Sequence, residues 1–173
     1  MHTLLHGRKT VNAIDLLEQQ HREVEELFEE FESAGEKAKK TKERVCRELS
    51  DQLAMHAEIE EKLFYPESKQ ENTEEILRES VEEHLSMKRI LADLLEIGAE
   101  DEQFDAKMSV LKEQVEHHVE EEEKELFPKV RKSLSKEELE DLGARMQRMF
   151  ERLEAQGNAS AKIPDQTDAP SEI

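Results

Sequence analysis

The sequence predicts an all-α protein: an up-down antiparallel four-helix bundle with a short fifth helix and a disordered C-terminal tail. Three observations predict it. Apolar residues recur at spacings of three and four through most of the chain, as in helices that bury one face. Only 5 Gly and 4 Pro occur in 173 residues, and aromatic residues make up 4%, too few turn and strand formers for a sandwich or barrel. The breaks between periodic stretches are short, which forces neighbouring helices to run in opposite directions and disfavours one long coiled coil.

Residues 1–11 are expected to form a flexible N-terminus, with His2 and His6 solvated. The first helix runs from Asn12 to Ser33, with Ile14, Leu17, Val24, Phe28 and Phe31 on one stripe and His21 in phase; Ala34-Gly35 ends it. The second starts at Lys37 or Thr41 and reaches Ser68, carrying Val45, Leu49, Leu53, Ile59, Leu63 and Phe64, with Pro66 near its end. Asn72 and Glu75 have the spacing of a capping box for the third, which runs to Ile97 and stops at Gly98. The fourth covers Gln103 to Lys132 on Met108, Leu111, Val115, Val119 and Leu126, with Pro128 in its last turns. Ser135 and Glu138 cap the fifth, which ends near Ala155 and packs across one side or end of the bundle; residues 12–156 are one domain. From Gly157 to Ile173 the composition turns to Asn, Ser, Pro, Asp and Thr, which predicts a disordered tail, residues 157–173.

Charged residues make up 40% of the chain and the net charge is -19, which repels phosphate backbones and anionic lipid. Nucleic acid and membrane are therefore not expected partners. No apolar run spans a bilayer, and Met1 to Thr10 lacks the pattern of a secretory signal. The single cysteine, Cys46, fits a reducing cytoplasm and reads as a half-buried helical residue.

The chemistry lies in four histidines. His56-Ala-Glu-Ile-Glu60-Glu61-Lys62-Leu-Phe-Tyr-Pro66 aligns without a gap on His118-Val-Glu-Glu-Glu122-Glu123-Lys124-Glu-Leu-Phe-Pro128, on helices that are diagonal in an up-down bundle. His and Glu at i and i+4 share a helix face, but Glu is so common here that His21 with Glu25 and His117 with Glu121 also fit. Phase decides. The stripe Met108, Leu111, Val115 leads to His118 and Glu122, whereas His117 is turned about 100° away. Leu49 and Leu53 lead to His56 and Glu60, and Leu77 and Val81 lead to His84. A lone histidine on an apolar stripe is more often a hydrogen-bonded core residue than a ligand. Four of them, one per helix, with two in-phase glutamates, are different. Burying two carboxylates without a counter-charge costs several kcal/mol each, roughly, and a metal cluster removes that cost. His21, His56, Glu60, His84, His118 and Glu122 are the candidate metal ligands. Glu25 is a possible extra ligand, Tyr65 a partly buried aromatic that could reach the site, and the run Glu120 to Glu123, apart from Glu122, an exposed face.

These motifs resemble the hemerythrin and hemerythrin-like (HHE cation-binding) family over residues 12–155: one His on the first helix, H-x-x-x-E-E ending in F-Y-P on the second, one His on the third, and H-V-x-x-E-E ending in L-F-P on the fourth. The resemblance implies two iron ions with a bridging oxo or hydroxo group, His21 and His56 on one and His84 and His118 on the other. Glu60 and Glu122 would span both. Where oxygen carriers of the family place a further histidine, this chain has Lys88, which leaves an open position on each iron and favours reaction with O2, peroxide or NO over simple carriage. Imidazole and carboxylate also suit manganese or zinc. A sensor or metal-stabilised binding module without turnover is the alternative. A ferritin-like oxidase would need two Glu-x-x-His motifs, and only Glu18 and His21 fit. A metal-free acidic interaction protein is the bland reading.

Overall fold

A computed structural model of the chain describes residues 11–173, and every regular element among them is helical. Residues 1–10, with His2, His6 and most of the expected flexible N-terminus, lie outside the described residues. Helix α1 (Ala13–Ser33) opens with Asn12 as its cap, whose side chain accepts from the Asp15 amide at 2.9 Å. Helix α2 begins as Lys39–Ile59 and continues through a π-helical stretch (Glu60–Phe64) into a last α-turn (Tyr65–Ser68). Helix α3 (Glu74–Ile97) is stopped by Gly98 at φ 71°, a left-handed conformation that favours glycine. Helix α4 begins as Phe104–Glu121, passes through a second π-helical stretch (Glu122–Leu126) and ends as Phe127–Ser133. Helix α5 (Lys136–Gln156) starts on the predicted Ser135–Glu138 capping box.

The Asn72–Glu75 capping box does not form. Thr73 is the cap position, and its buried hydroxyl donates instead to the Ser68 carbonyl at 2.7 Å, tying off the link between α2 and α3.

The two π-helical stretches fall in the repeated motif, each just before its proline. Proline lacks an N–H and crowds the carbonyl four residues back, so the α-helical ladder cannot continue unchanged. Each helix absorbs one extra residue: the Tyr65 amide bonds the Glu60 carbonyl, and the Phe127 amide bonds the Glu122 carbonyl.

Between the helices the apolar core is divided in two. One cluster, around Ile14, Leu17, Ile59, Phe64, Leu77 and Phe127, is sealed by Leu139, Leu142 and Met146 of α5. The other is built around Phe28, Leu49, Leu91, Phe104, Met108 and Leu111. A layer of histidine and glutamate separates them. Helix α5 grips the start of α1 through Gly143, where an added Cβ would meet backbone: Ala13 N and Asn12 C at 2.7 Å, and Val11 O closer still. G143A is therefore expected to destabilise the fold by about 1–3 kcal/mol, read as a lower urea midpoint with unchanged slope.

The predicted disordered tail is instead packed. A 3₁₀ helix (Ala159–Gln166) lies against α2 and α3 and buries Ile163 in the second apolar cluster. The Ser160 amide donates to Asp51 Oδ1 at 2.8 Å, Arg89 Nε donates to the Thr167 carbonyl at 2.9 Å, and Ser171 Oγ donates to Glu61 Oε2 at 2.5 Å. Ile163, with Ala159 and Ile173 packed against the other apolar cluster, and charged side chains of the bundle supply what the tail's own composition lacks.

Candidate metal centre

All six predicted residues meet in the layer between the two apolar clusters. Glu60 and Glu122 are fully buried, and His21, His56, His84 and His118 are each at most 6% exposed. Every histidine turns Nε2 inward. His56 Nε2 lies 3.0 Å from Glu60 Oε1 and His84 Nε2 lies 3.1 Å from Glu60 Oε2. His21 Nε2 lies 3.2 Å from Glu122 Oε2 and His118 Nε2 lies 3.4 Å from Glu122 Oε1. Each carboxylate thus reaches one histidine of each half, and the donor atoms fall into two overlapping groups: His21, His56, Glu60 and Glu122, and Glu60, His84 and His118.

The outward ring nitrogens are equally ordered. His21 Nδ1 pairs with Glu123 Oε1 at 3.1 Å, His56 Nδ1 with Gln20 Oε1 at 2.7 Å, His84 Nδ1 with Glu61 Oε1 at 2.9 Å, and His118 Nδ1 with Glu83 Oε2 at 2.5 Å. An Nδ1–H donated outward fixes the tautomer that leaves the Nε2 lone pair free, the arrangement of metal-binding histidines. The E-E of each motif thereby divides its work: the first Glu points in, and the second holds a histidine of another helix. Sequence reasoning missed Gln20, Glu61, Glu83 and Glu123, and placed Glu123 on an exposed face; the doubled Glu of the repeat was the available signal.

Tyr65 was expected to be a partly buried aromatic; it is fully buried, with its hydroxyl inside the site. It donates to Glu122 Oε1 at 2.7 Å and lies 3.1 Å from Glu60 Oε2 and 3.2 Å from His84 Nε2. On a regular helix a residue five after Glu60 would be turned about 140° away; the π-turn brings it back to the same face. The equivalent residue of the second motif is Phe127, stacked on His21 at 5.9 Å between ring centres. The pseudo-two-fold arrangement is therefore broken by one phenol.

Charge in the layer is balanced by proximity. Burial pushes the Glu60 carboxyl up, but His56, His118 and His84 hold it well below the usual carboxylate range. Glu122 is also lowered, its burial and the Glu60 charge outweighed by His118 and His21. For His21, burial opposes protonation, while Glu122 and Glu123 bring its pKa up to about 9. His84 and His118 are raised too, burial again being outweighed, by Glu60 and Glu61 at His84 and by Glu122, Glu60 and Glu83 at His118. Burial, with the charges of Glu122 and Glu60, pushes the Tyr65 hydroxyl well above its ordinary value.

Even so, four of the six buried side-chain atoms without a hydrogen-bond partner among the described residues lie in this layer, His21 Nε2, His56 Nε2, Glu60 Oε1 and Glu122 Oε2, close together in two pairs but without hydrogen-bond geometry. They belong to one of the two donor groups and are all lone-pair donors of the kind a divalent cation takes. Beside them is a small cavity of about 30 Å³, walled by the four histidines and by Val24, Leu91, Val115 and Ile163. That is room for roughly one or two water-sized molecules. Lys88 also lines it, but its ammonium is held by Glu61 at 2.9 Å and points to no histidine partner. Glu25 is exposed and pairs with Arg22, and Glu18 pairs with Arg131, so neither joins the site. Cys46 is buried, its thiol pushed up to about 11 by that burial.

The model of the hemerythrin HHE cation binding domain matches residues 12–130. A curated DNA nickase of Nostoc sp. is 29% identical over 133 residues, which is 77% of this chain but 37% of the nickase. The crystal structure of a hemerythrin HHE cation binding domain-containing protein from Mycobacterium kansasii aligns with a TM-score of 0.74 at 24% identity, covering 91% of this chain and 94% of that one. That likeness shows the fold.

Proposed function

The chain belongs to the hemerythrin HHE cation binding family, and from that premise we propose that it binds two iron ions and, through them, a small oxidant: O2, peroxide or NO. The observation that carries this reading is the convergence of buried donor atoms of His21, His56, Glu60 and Glu122 within 4.8 Å of one another, without hydrogen-bond geometry between them. His21 and His56 would hold one ion, His84 and His118 the other, with Glu60 and Glu122 shared and the Tyr65 hydroxyl beside the second. Manganese or zinc would fit the same donors. When bound, the metals supply Lewis acidity and, if iron or manganese, electron transfer to the oxidant. The chain's own residues do the rest. Gln20, Glu61, Glu83 and Glu123 keep each imidazole in one tautomer. Tyr65 holds a proton on its hydroxyl at Glu122. Val24, Leu91, Val115 and Ile163 give the cavity an apolar wall.

The DNA nickase likeness does not favour a nucleic-acid substrate, because a net charge of -19 opposes approach to phosphate. Among the described residues no helix is long and apolar enough to cross a membrane; a cytoplasmic location rests on the lone cysteine. A sensor reading draws on one contact: Ser171 of the tail donates to Glu61, which itself holds His84, a path by which occupancy of the site would reach the tail.

Metal analysis of protein purified without chelator tests the proposal. Two ions per chain are expected, falling to one or none in H21A and H118A; no metal in a fully helical protein would sink it. Mixing the loaded protein with peroxide then separates turnover, seen as oxygen release, from a stable adduct.

A further inference from the structure

The C-terminal strap, residues 159–173, is joined to the bundle by a hinge and held down by contacts that can be released together. Gly157 and Asn158, at φ 70° and 50°, are consecutive left-handed residues between α5 and the 3₁₀ helix. Both are exposed, and an added Cβ at Gly157 would meet nothing within 4 Å. They run past an open groove of about 530 Å³, bounded by Leu27, Asp51, Met55 and Leu153, so the turn is not packed in place. Beyond it the strap is caught mainly by its backbone. Asp51 takes the Ser160 amide, Arg89 the Thr167 carbonyl and Lys69 the Ile173 carbonyl. The Ser171 hydroxyl rests on Glu61, whose other oxygen pairs with His84. None of these bonds belongs to the backbone ladder of a bundle helix, so releasing them leaves the helices intact. Beneath the strap lies the cavity, and of the residues that wall it Ile163 alone comes from outside the four bundle helices. A segment with few buried side chains, surface bonds and a free hinge opens at lower free energy than the core it covers.

We propose that this strap is a lid: it swings as a unit about Gly157 and Asn158, withdraws Ile163 and opens the cavity between α2 and α3. Those are the helices the strap lies on, and they carry His56 and His84. Closed, the lid completes the cavity's apolar wall; open, it breaks that wall on one side only. Arg89 is a catch that acts from outside, since it is exposed and bonds the strap at Thr167 and Asp168 but does not line the cavity. That the molecule admitted is a small oxidant rests on the metal-bound reading above; the opening itself does not.

The test compares the full-length wild type, R89A and the control R131A, whose arginine pairs with Glu18 and has no contact with the strap. Far-UV circular dichroism checks that each variant keeps its helices. Hydrogen exchange read by mass spectrometry should show the amides of residues 160–168 opening together. In R89A their exchange is expected to quicken by one common factor, roughly fivefold or more for the loss of a charged hydrogen bond, with the helices unaffected. R131A should exchange as the wild type does. Diethyl pyrocarbonate labelling of the chelator-treated chains should then quicken by the same factor at His56 and His84, with the exposed His117 as internal standard. Factors that fade from residue 173 inward would mean fraying and overturn the lid, as would unchanged exchange in R89A. Faster exchange without faster labelling of His56 and His84 would overturn the opening of the cavity. Neither readout needs metal, so a protein that binds none sinks the di-iron proposal and leaves this test to decide the lid.

Discussion

Stripping metal with a chelator is expected to lower the melting temperature by about 8–16 °C, and to lower it more at pH 9 than at pH 6.5. An ion present at a thousandfold its dissociation constant stabilises the folded state by about 4 kcal/mol. For a chain of this size each kcal/mol moves the transition by roughly 2–4 °C. The pH dependence has a definite sign. In the metal-free chain the Glu60 and Glu122 charges are balanced by protonated imidazoles, with the His21 pKa raised from 6.5 to about 9. A raised folded-state pKa contributes stability that is complete below the unfolded value and is lost as pH rises through the folded one. The metal-free protein should therefore weaken between pH 6.5 and 9. Metal binding needs the same rings neutral and gains over that interval. Calorimetric scans of both forms at the two pH values check this, and a gap that is constant or narrows with pH contradicts it.

I163A is expected to raise the rate at which azide enters the metal-loaded site on the order of 30-fold. Ile163 is 1% exposed and walls the cavity, yet it belongs to the C-terminal strap and to none of the bundle helices. Truncating a buried isoleucine costs at least about 2 kcal/mol. If that loss falls on docking of the strap, its open population rises on the order of 30-fold, at 1.4 kcal/mol per factor of ten. Deleting residues 157–173 should have an effect at least as large and remove the Ser171 contact to Glu61 as well. Stopped-flow association rates decide it: equal rates in all three proteins would mean that small molecules enter elsewhere.

The helices and the six buried donors were legible because periodicity reports burial directly. His118 and Glu122 followed from the stripe of α4, and His117 was correctly set aside from the core as exposed. What was not legible depended on departures from a regular helix or on partners distant in sequence. Tyr65 lies out of phase with Glu60 on any α-helical projection and enters the site only through the π-turn. Gln20 and Glu83 look like ordinary polar helix residues until a histidine on another helix is placed beside them. Lys88 gave a missing ligand but not its pairing with Glu61. The tail failed for a related reason, since averaged composition cannot weigh a few anchors such as Ile163 and Ile173 against a prepared receptor.

The division of the interior into two apolar blocks has a further consequence. A change of volume at Phe104 or Leu111 should be felt first within its own block, because a polar layer lies between it and the other. Substitutions in opposite ends should add without interaction, as for sites with no shared neighbours. The two ends of the bundle should then accept re-sizing independently, while the seam that joins them, where every buried donor faces another, should accept least.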